Sequence, residues 1–376
     1  MLRGVPLLVV AIAGLVAYGS LLVSSRLLPD EERYVCAFTA AASDHNPYTC
    51  HGYFYPPLLA VLGGHAADVF GLHTFLVWMR ALNLLGAIGL VTFAATRIPG
   101  RRAFQALLGA VLVAFGTSID EAMGVGNLSP LCCALAVAAL ANVTRAPALA
   151  GVALGTSIAL KPIAAAAVPL LLAVPKNMHG ARHRVAALVA GGVVALLVLP
   201  WYSWLPSLFR ASGQQASAMH NLSLVRVAHL LGFEVSPLVV LVAVPLLFAI
   251  FLRDRLHTPE SVVYLGGAAS LLSLPIVWGH TFILAYPIVT GALAASLLRW
   301  RAAAPGVARA RARAEGLLVC AASMWVLQSN AFSGITAYLP APLGALVLAF
   351  EIALPSALAL HASAAPADTP AAGTAP

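Results

Sequence analysis

The sequence predicts an all-α, polytopic membrane protein with about twelve transmembrane helices, and three observations carry that reading. Of the 376 residues, 61% are hydrophobic and only 9% charged, whereas a soluble domain carries about 25% charged residues. The mean hydropathy is +0.92, so a water-facing skin cannot be built and lipid must solvate much of the exterior. Apolar stretches approaching the ~20 residues needed to cross a bilayer recur along the chain, with short polar gaps between them.

The apolar stretches place helices near 5–25, 73–96, 103–119, 127–144, 147–160, 162–175, 184–201, 237–253, 259–278, 280–298, 315–333 and 338–360. The first, Val5 to Val23, is long enough to span and lacks a small-residue cleavage site, so a retained helix is expected. The fifth and sixth are short and meet at Leu160-Lys161-Pro162, which predicts a break or tilt. Residues 56–71 begin with two prolines and carry His65 and Asp68, which suits an interfacial or re-entrant helix better than a span. Two polar segments, 26–57 and 202–236, are long enough to build a site. Residues 1–360 read as one membrane-embedded domain, and 361–376 as a disordered Ala/Pro-rich tail. No internal repeat is evident.

Charge sets the topology. Arg97, Arg101, Arg102, Arg145, Arg182, Arg184, Arg253, Arg255, Arg299 and Arg301 fall in one set of gaps. Asp30, Glu31, Glu32, Asp44, Asp120, Glu121 and Glu234 fall in the alternate set. Basic residues are retained in the cytoplasm, so the N-terminus is placed inside and the acidic gaps outside. The net charge of +8 is then a topology signal and gives no reason to expect a nucleic-acid partner. Among five cysteines, Cys132, Cys133 and Cys320 sit in apolar helices. Cys36 and Cys50 share the first outer segment, where a disulfide is possible on an oxidising side.

Chemistry concentrates in that first outer segment, PDEERYVCAFTAAASDHNPYTCHGYFYPPLL. Its carboxylates can serve as a general base towards a hydroxyl near the headgroups, and its tyrosines offer faces and hydroxyls of the kind sugars bind. The plain alternative is a solvated loop with an interfacial aromatic belt. Arg80, inside the second helix, is expected to pair structurally with an acid, either Asp68 or one from the first loop. No Gly-rich phosphate loop, Asp-x-Asp pair, His/Cys cluster or Gly-x-Ser-x-Gly turn is evident, so neither a metal nor a resident cofactor is expected.

The order of residues adds a resemblance. Asp30-x-x-x-Tyr34, a helical stretch, Asn46-Pro47-Tyr48 and Tyr55-Pro56-Pro57-Leu58 resemble the opening of the GT-C-fold, polyprenyl-phosphate-dependent glycosyltransferases of family GT87 (also DUF2029). That family includes actinobacterial α-1,2-mannosyltransferases. Gly126-Asn127-Leu128-Ser129 stands where the family has Gly-Gln-x-Asn, with both amide positions altered. Leu160-Lys161-Pro162 resembles its Leu-Lys-Pro element, and Asn221-Leu222-Ser223-Leu224, followed by Arg226, its Asn-x-Ser-Leu element. Pro275-Ile276-Val277-Trp278-Gly279-His280 resembles its Pro-x-x-Trp-x-His segment, with Thr281 in place of a common second histidine.

The resemblance implies a GT-C-like fold and transfer of a hexose, mannose foremost, from a polyprenyl-phosphate sugar. The acceptor would be a glycolipid or envelope glycan at the outer face of the plasma (inner) membrane. It implies Asp30 as general base and His280 as a second catalytic group, with Tyr34, Asn46, Tyr48, Tyr55, Lys161, Asn221 and Arg226 as substrate contacts. Lys161 and Arg226 are cations on the predicted outer side, where a lipid phosphate would lie, although Lys161 can also simply snorkel. Alternatives stay open: a pentosyl (arabinofuranosyl) transferase on the same scaffold, a lipid or solute transporter, or a degenerate scaffold protein.

Overall fold

The computed structural model describes residues 4–175, 180–198, 221–328 and 338–364, with residues 206, 207, 210, 211, 214 and 218 between them. Most of the outer segment 202–236 before residue 221, and the tail from residue 365, lie outside the described residues. The described chain is helical throughout and contains no strand.

The N-terminal part comprises α1 (Val5–Leu22), α2 (Pro29–Ala42), α3 (Pro57–Phe70), α4 (Leu72–Thr96), α5 (Arg102–Phe115) and α6 (Thr117–Val125). Then come α7 (Ser129–Asn142), α8 (Pro147–Leu160), α9 (Ala167–Ala173), α10 (Gly180–Val198), α11 (Leu224–Leu230) and α12 (Pro237–Phe251). The chain ends with α13 (Pro259–Ser273), α14 (Ala285–Ala302), α15 (Val307–Leu327) and α16 (Ala341–Ser363). Proline in the first turn starts α2, α3, α7, α8, α12 and α13, where its missing N–H costs nothing and its fixed φ suits the helix.

Polarity is inverted relative to a soluble fold. Val16, Leu196, Phe251 and Phe115 are 75–82% exposed, while α13 and the stretch from residue 279 into α14 are buried on almost every face. Helices apolar all round and facing outward belong in lipid, so the chain is a membrane protein. Helix length and composition alone show fewer crossings than the twelve expected. Five helices among the described residues (α1, α4, α10, Gly279–Ala302 and α16) are long and apolar enough to cross. A sixth is added if α5 and α6, bent by 47°, form one broken span. The other apolar helices are short; the 14 residues of α7 rise only about 21 Å against a ~30 Å hydrocarbon core. The expected stretches 127–144, 147–160 and 237–253 are observed at nearly those bounds as α7, α8 and α12, each shorter than the helices that span by length alone.

The segment 56–71 forms α3, a 14-residue helix that runs beside α2. A Cβ at Gly63 would lie 2.3 Å from the Phe38 ring and one at Gly64 2.8 Å from the Phe38 carbonyl oxygen, so only glycine allows this close approach. Cys36 and Cys50 are joined by a disulfide that ties the loop after α2 back onto that helix.

Arg80 fixes α4 against this layer. Its Nε and Nη2 donate to Glu31 Oε1 and Oε2, both at 2.7 Å, the two-pronged geometry a guanidinium favours. Its remaining hydrogens meet the carbonyls of Leu21, Ser24 and Arg26 in the α1–α2 turn. Glu31 Oε2 also accepts from the Leu28 N–H at 2.9 Å, which caps α2. The expected pairing of Arg80 with a first-loop acid is met by Glu31, not by Asp68.

The opposite end of the bundle collects the basic gaps. Arg97 reaches Glu260 at 2.6 Å, Arg182 donates to the Thr144 carbonyl, and Arg299 bridges to Glu315 at 2.6 Å.

Glu31 is 1% and Arg80 4% exposed, so R80A, which strands the buried carboxylate, should cost about 3–5 kcal/mol. R80K should recover little, because an ammonium cannot form the fork. Thermal unfolding in detergent reads both. Reducing the Cys36–Cys50 bridge opens a loop of 14 residues' separation and should lower stability by about 3 kcal/mol, seen as a lower Tm with reductant, whereas reductant should not shift the already lowered Tm of C36S/C50S.

Candidate functional site

The site is assembled where the start of α2 and the segment before α3 meet the breaks between α6 and α7 and between α8 and α9. Asp30 lies in the first turn of α2 and is 5% exposed. Its Oδ1 accepts from Arg33 Nη1 at 2.7 Å. Its Oδ2 accepts from Asn127 Nδ2 at 2.5 Å and from the Tyr55 hydroxyl at a longer 3.5 Å.

Asn127 is the hub. Gly126 ends α6 in the left-handed region, with φ +76°, and a Cβ there would meet Glu31 Cγ at 2.7 Å. Glycine therefore turns the chain so that Asn127 points inward, fully buried. Asn127 Nδ2 donates to Asp30 and, at 3.1 Å, to the Tyr55 oxygen. Its Oδ1 accepts from the Ser129 N–H at 3.0 Å, the Ser129 hydroxyl at 2.8 Å and Lys161 Nζ at 2.6 Å. Asn83 of α4 holds the turn from behind, donating to the Asn127 carbonyl at 2.6 Å and accepting from Leu131 N–H.

Lys161 reaches this hub because α8 stops beneath it. Pro162 disfavours helical backbone in the preceding residue, and Lys161 is extended at φ −155°, ψ 124°. Its ammonium bonds Asn127 and, at 2.7 Å, Ser129 Oγ, and it stands 5.5 Å from the centre of the Tyr55 ring. Burial first, and then the Asp30 charge, raise the Tyr55 phenol above its ordinary pKa, so it remains an O–H donor.

His280 completes the cluster from the turn before α14. It is 5% exposed, and its Nδ1 lies 3.2 Å from Glu121 Oε1 of α6. With a proton on Nδ1 facing the carboxylate, Nε2 is the nitrogen left for other work. The charges of Lys161, Glu121 and Asp30 all act on this ring.

The other expected residues separate into supports and walls. Tyr34 is fully buried and packs edge-on against Tyr55, with centroids 5.2 Å apart, so it sets the Tyr55 ring and does not itself line a cavity. Asn46 Oδ1 accepts from the Tyr48 N–H at 3.0 Å, an Asx turn at the exposed surface. Tyr48 donates to the Tyr55 carbonyl at 3.2 Å. Asn221 is fully buried; its amide accepts from Val277 N–H at 2.9 Å and donates to the Pro275 carbonyl at 3.4 Å. It thereby positions the segment leading to Trp278 and His280. Arg226 is buried in α11, donates to the Asn221 carbonyl at 3.3 Å, and has its charge met by Glu351 of α16 and not by Asp30.

Two cavities adjoin the cluster. One, of about 240 Å³, is walled by Ile158, Ile163, Val194, Leu241, Leu274 and Ile276, with Lys161 and Tyr55 also lining it. The other, of about 360 Å³, is polar and lined by Arg33, Tyr48, His51, Tyr53, Arg210 and Gln214 among others. Phe54 and Trp278 line both, so they form the partition. Arg33, Asn127, Ser129, Glu121 and Trp278 were not singled out by the sequence as site residues. The available signals were a Gly-Asn pair opening a helix and an acidic pair, Asp120-Glu121, in an outer gap.

If the hub transmits these bonds, Asn127→Ala and Lys161→Met will not act additively. Their double-mutant cycle, read by thermal or denaturant unfolding in detergent, should give a coupling of roughly 0.5–3 kcal/mol; strict additivity would dissolve the hub.

Searches of curated proteins and of solved structures found no match. Residues 53–275 match the model of glycosyltransferase family 87. The match takes in Tyr55, Asn127, Lys161, Asn221 and Arg226, and it lies between Asp30 and His280. It spans more than half of the 376 residues, and the chain belongs to that family: it is a membrane glycosyltransferase.

Proposed function

We propose that this glycosyltransferase moves a hexosyl residue, mannose first among those to test, from a polyprenyl-phosphate sugar to a glycolipid or envelope glycan. The observation that carries the donor class is the apolar cavity beside α8 and α12, which has Lys161 and Tyr55 in its lining. An isoprenoid chain needs apolar walls, and its phosphate needs a cation where the chain ends. The polar cavity across the Phe54–Trp278 partition suits the acceptor. Aromatic and hydroxyl-bearing side chains line it, and Arg33 connects it to Asp30.

In the proposed step Asp30 removes the proton from the acceptor hydroxyl as that oxygen attacks the anomeric carbon. The bond from the anomeric carbon to the phosphate oxygen breaks, and the lipid phosphate leaves with the electron pair. Lys161 stabilises the charge that develops on the phosphate, and His280 presents Nε2 from the other side of the cluster. Displacement without a glycosyl-enzyme intermediate inverts the anomeric centre. Arg33, the exposed member of the Asp30 contacts, must give way to the acceptor, whereas Asn127 holds the carboxylate in place.

Sidedness and crossing number belong to the same proposal. The outer-gap residues Asp30, Asn127, Lys161 and His280 converge at one end of the bundle and the basic gaps at the other. This favours a site on the outer face of the plasma (inner) membrane; twelve crossings would need the shorter apolar helices to cross as well.

Asp30→Asn keeps the shape and removes the base. In purified protein supplied with polyprenyl-phosphate mannose, the variant should lose transfer by about 10²–10⁴-fold, with the product of the wild type formed at the inverted anomeric centre. Full activity in the variant would sink the mechanism, and wild-type inactivity with every lipid-linked sugar would sink the donor class.

A further inference from the structure

We propose that the groove between α4, α7 and α13, at the end of the bundle opposite Asp30, binds an anionic phospholipid by its headgroup phosphate. This site is separate from the transfer chemistry and does not depend on the donor or acceptor. Asn127 precedes α7 at one end, and Asn142 closes it at the other. The groove follows α7 from Leu131 to Asn142 and encloses about 740 Å³, the largest volume among the cavities described here. That run rises about 16 Å, close to the hydrocarbon depth of one leaflet, about half of a ~30 Å core.

The floor is apolar, built from Leu90 and Phe93 of α4 and Leu135 and Ala138 of α7. Gly89 also lines it, and a Cβ added there would meet nothing within 4 Å. The mouth is different: Arg97, Arg145, Asn142, Thr144 and Glu260 line it. Arg97 lies 4.3 Å from the Phe93 ring centre and bonds Glu260 at 2.6 Å, so the acid is already engaged. Arg145 is exposed at the mouth, and Arg182 adds a third cation through its bond to the Thr144 carbonyl.

Three arginines against one glutamate leave a positive rim above an apolar trough. A single phosphodiester with an acyl chain satisfies both parts, because arginine bonds phosphate oxygens and the trough takes the chain. A zwitterionic headgroup would bring its own cation against the rim. An apolar helix from another protein would fill the trough and leave the rim without counter-charge.

Thermal unfolding of the purified full-length protein in a neutral detergent tests this, with titration by phosphatidylglycerol, phosphatidylcholine or inorganic phosphate. Phosphatidylglycerol should raise Tm at concentrations about fivefold lower than phosphatidylcholine, and inorganic phosphate should leave it unchanged. R145Q should bring the two lipids to within about twofold of each other, and A138W, which fills the trough, should remove the response to both. Native mass spectra of the wild type should show one retained phosphatidylglycerol per chain, a readout independent of how either variant folds. Equal potency of the two lipids, a shift from phosphate alone, or an undiminished response in A138W would overturn the proposal. So would a second polypeptide that travels with the wild type and is lost in A138W.

Discussion

The fork between Arg80 and Glu31 is the constraint from which the rest of the site follows. Two charges, both almost completely buried, are tolerable only because every hydrogen of one is aimed at an acceptor. The guanidinium takes two carboxylate oxygens and three carbonyls, and so gathers the end of α1, the turn after it and the start of α2 around one point on α4. Asp30 precedes Glu31 by one residue, about 100° around the helix. With Glu31 held against α4, Asp30 faces the gap between α6 and α7, where Asn127 waits. The same glutamate contacts Gly126 so closely that no side chain fits there. Placing the candidate base and turning its partner thus share one cause.

Asn127 converts that placement into a polar junction. An amide has two donor hydrogens and one acceptor oxygen, and here the hydrogens go to Asp30 and Tyr55 while the oxygen takes Ser129 and Lys161. A carboxylate cannot donate and an ammonium cannot accept, so its orientation is dictated by its neighbours. The junction holds Asp30 and Lys161 near one another without letting them form a direct ion pair among their hydrogen bonds. Family members carry longer or different amides at the positions of Asn127 and Ser129. Here a shorter amide and a hydroxyl make the same kind of junction, so the altered residues do not by themselves remove the site.

Much of this was legible in the sequence, and the parts that were not share a physical reason. Composition and alternating charge revealed the membrane class, because lipid and translocation act on averages over many residues. Asp30 and Lys161 were legible because each is a local anomaly: an acid at the end of an apolar run, and a cation between a helix and a proline. Asn127 was not, since its worth lies in partners 97 and 34 residues away, and a Gly-Asn pair before a helix is otherwise an ordinary turn. Asn221 and Arg226 show the converse. Their motif marked them as contacts, while their protein partners, the backbone before Trp278 for Asn221 and the Glu351 charge for Arg226, lie too far along the chain to be read from it. Hydropathy also marked short helices such as α7, but it measures how apolar a segment is, and not whether so short a helix crosses.

The partition formed by Phe54 and Trp278 gives the arrangement its direction. An inverting displacement needs the attacking oxygen and the leaving phosphate on opposite sides of one carbon. A single open cleft would let both ligands mix and water enter, whereas two cavities sharing a wall would, under the proposed mechanism, present them from different sides. The apolar side has Lys161 in its lining, and the polar side has Arg33, bonded to Asp30. Tyr55 borders the apolar cavity and bonds towards Asp30, so the sugar would meet the base at the end of that wall. The wall itself is positioned by Asn221 through the Val277 backbone and by the tyrosine cluster around Phe54 and Tyr55. On this reading, residues that touch no substrate set the angle between the two ligands, and that angle, more than any one charge, decides which acceptor can react.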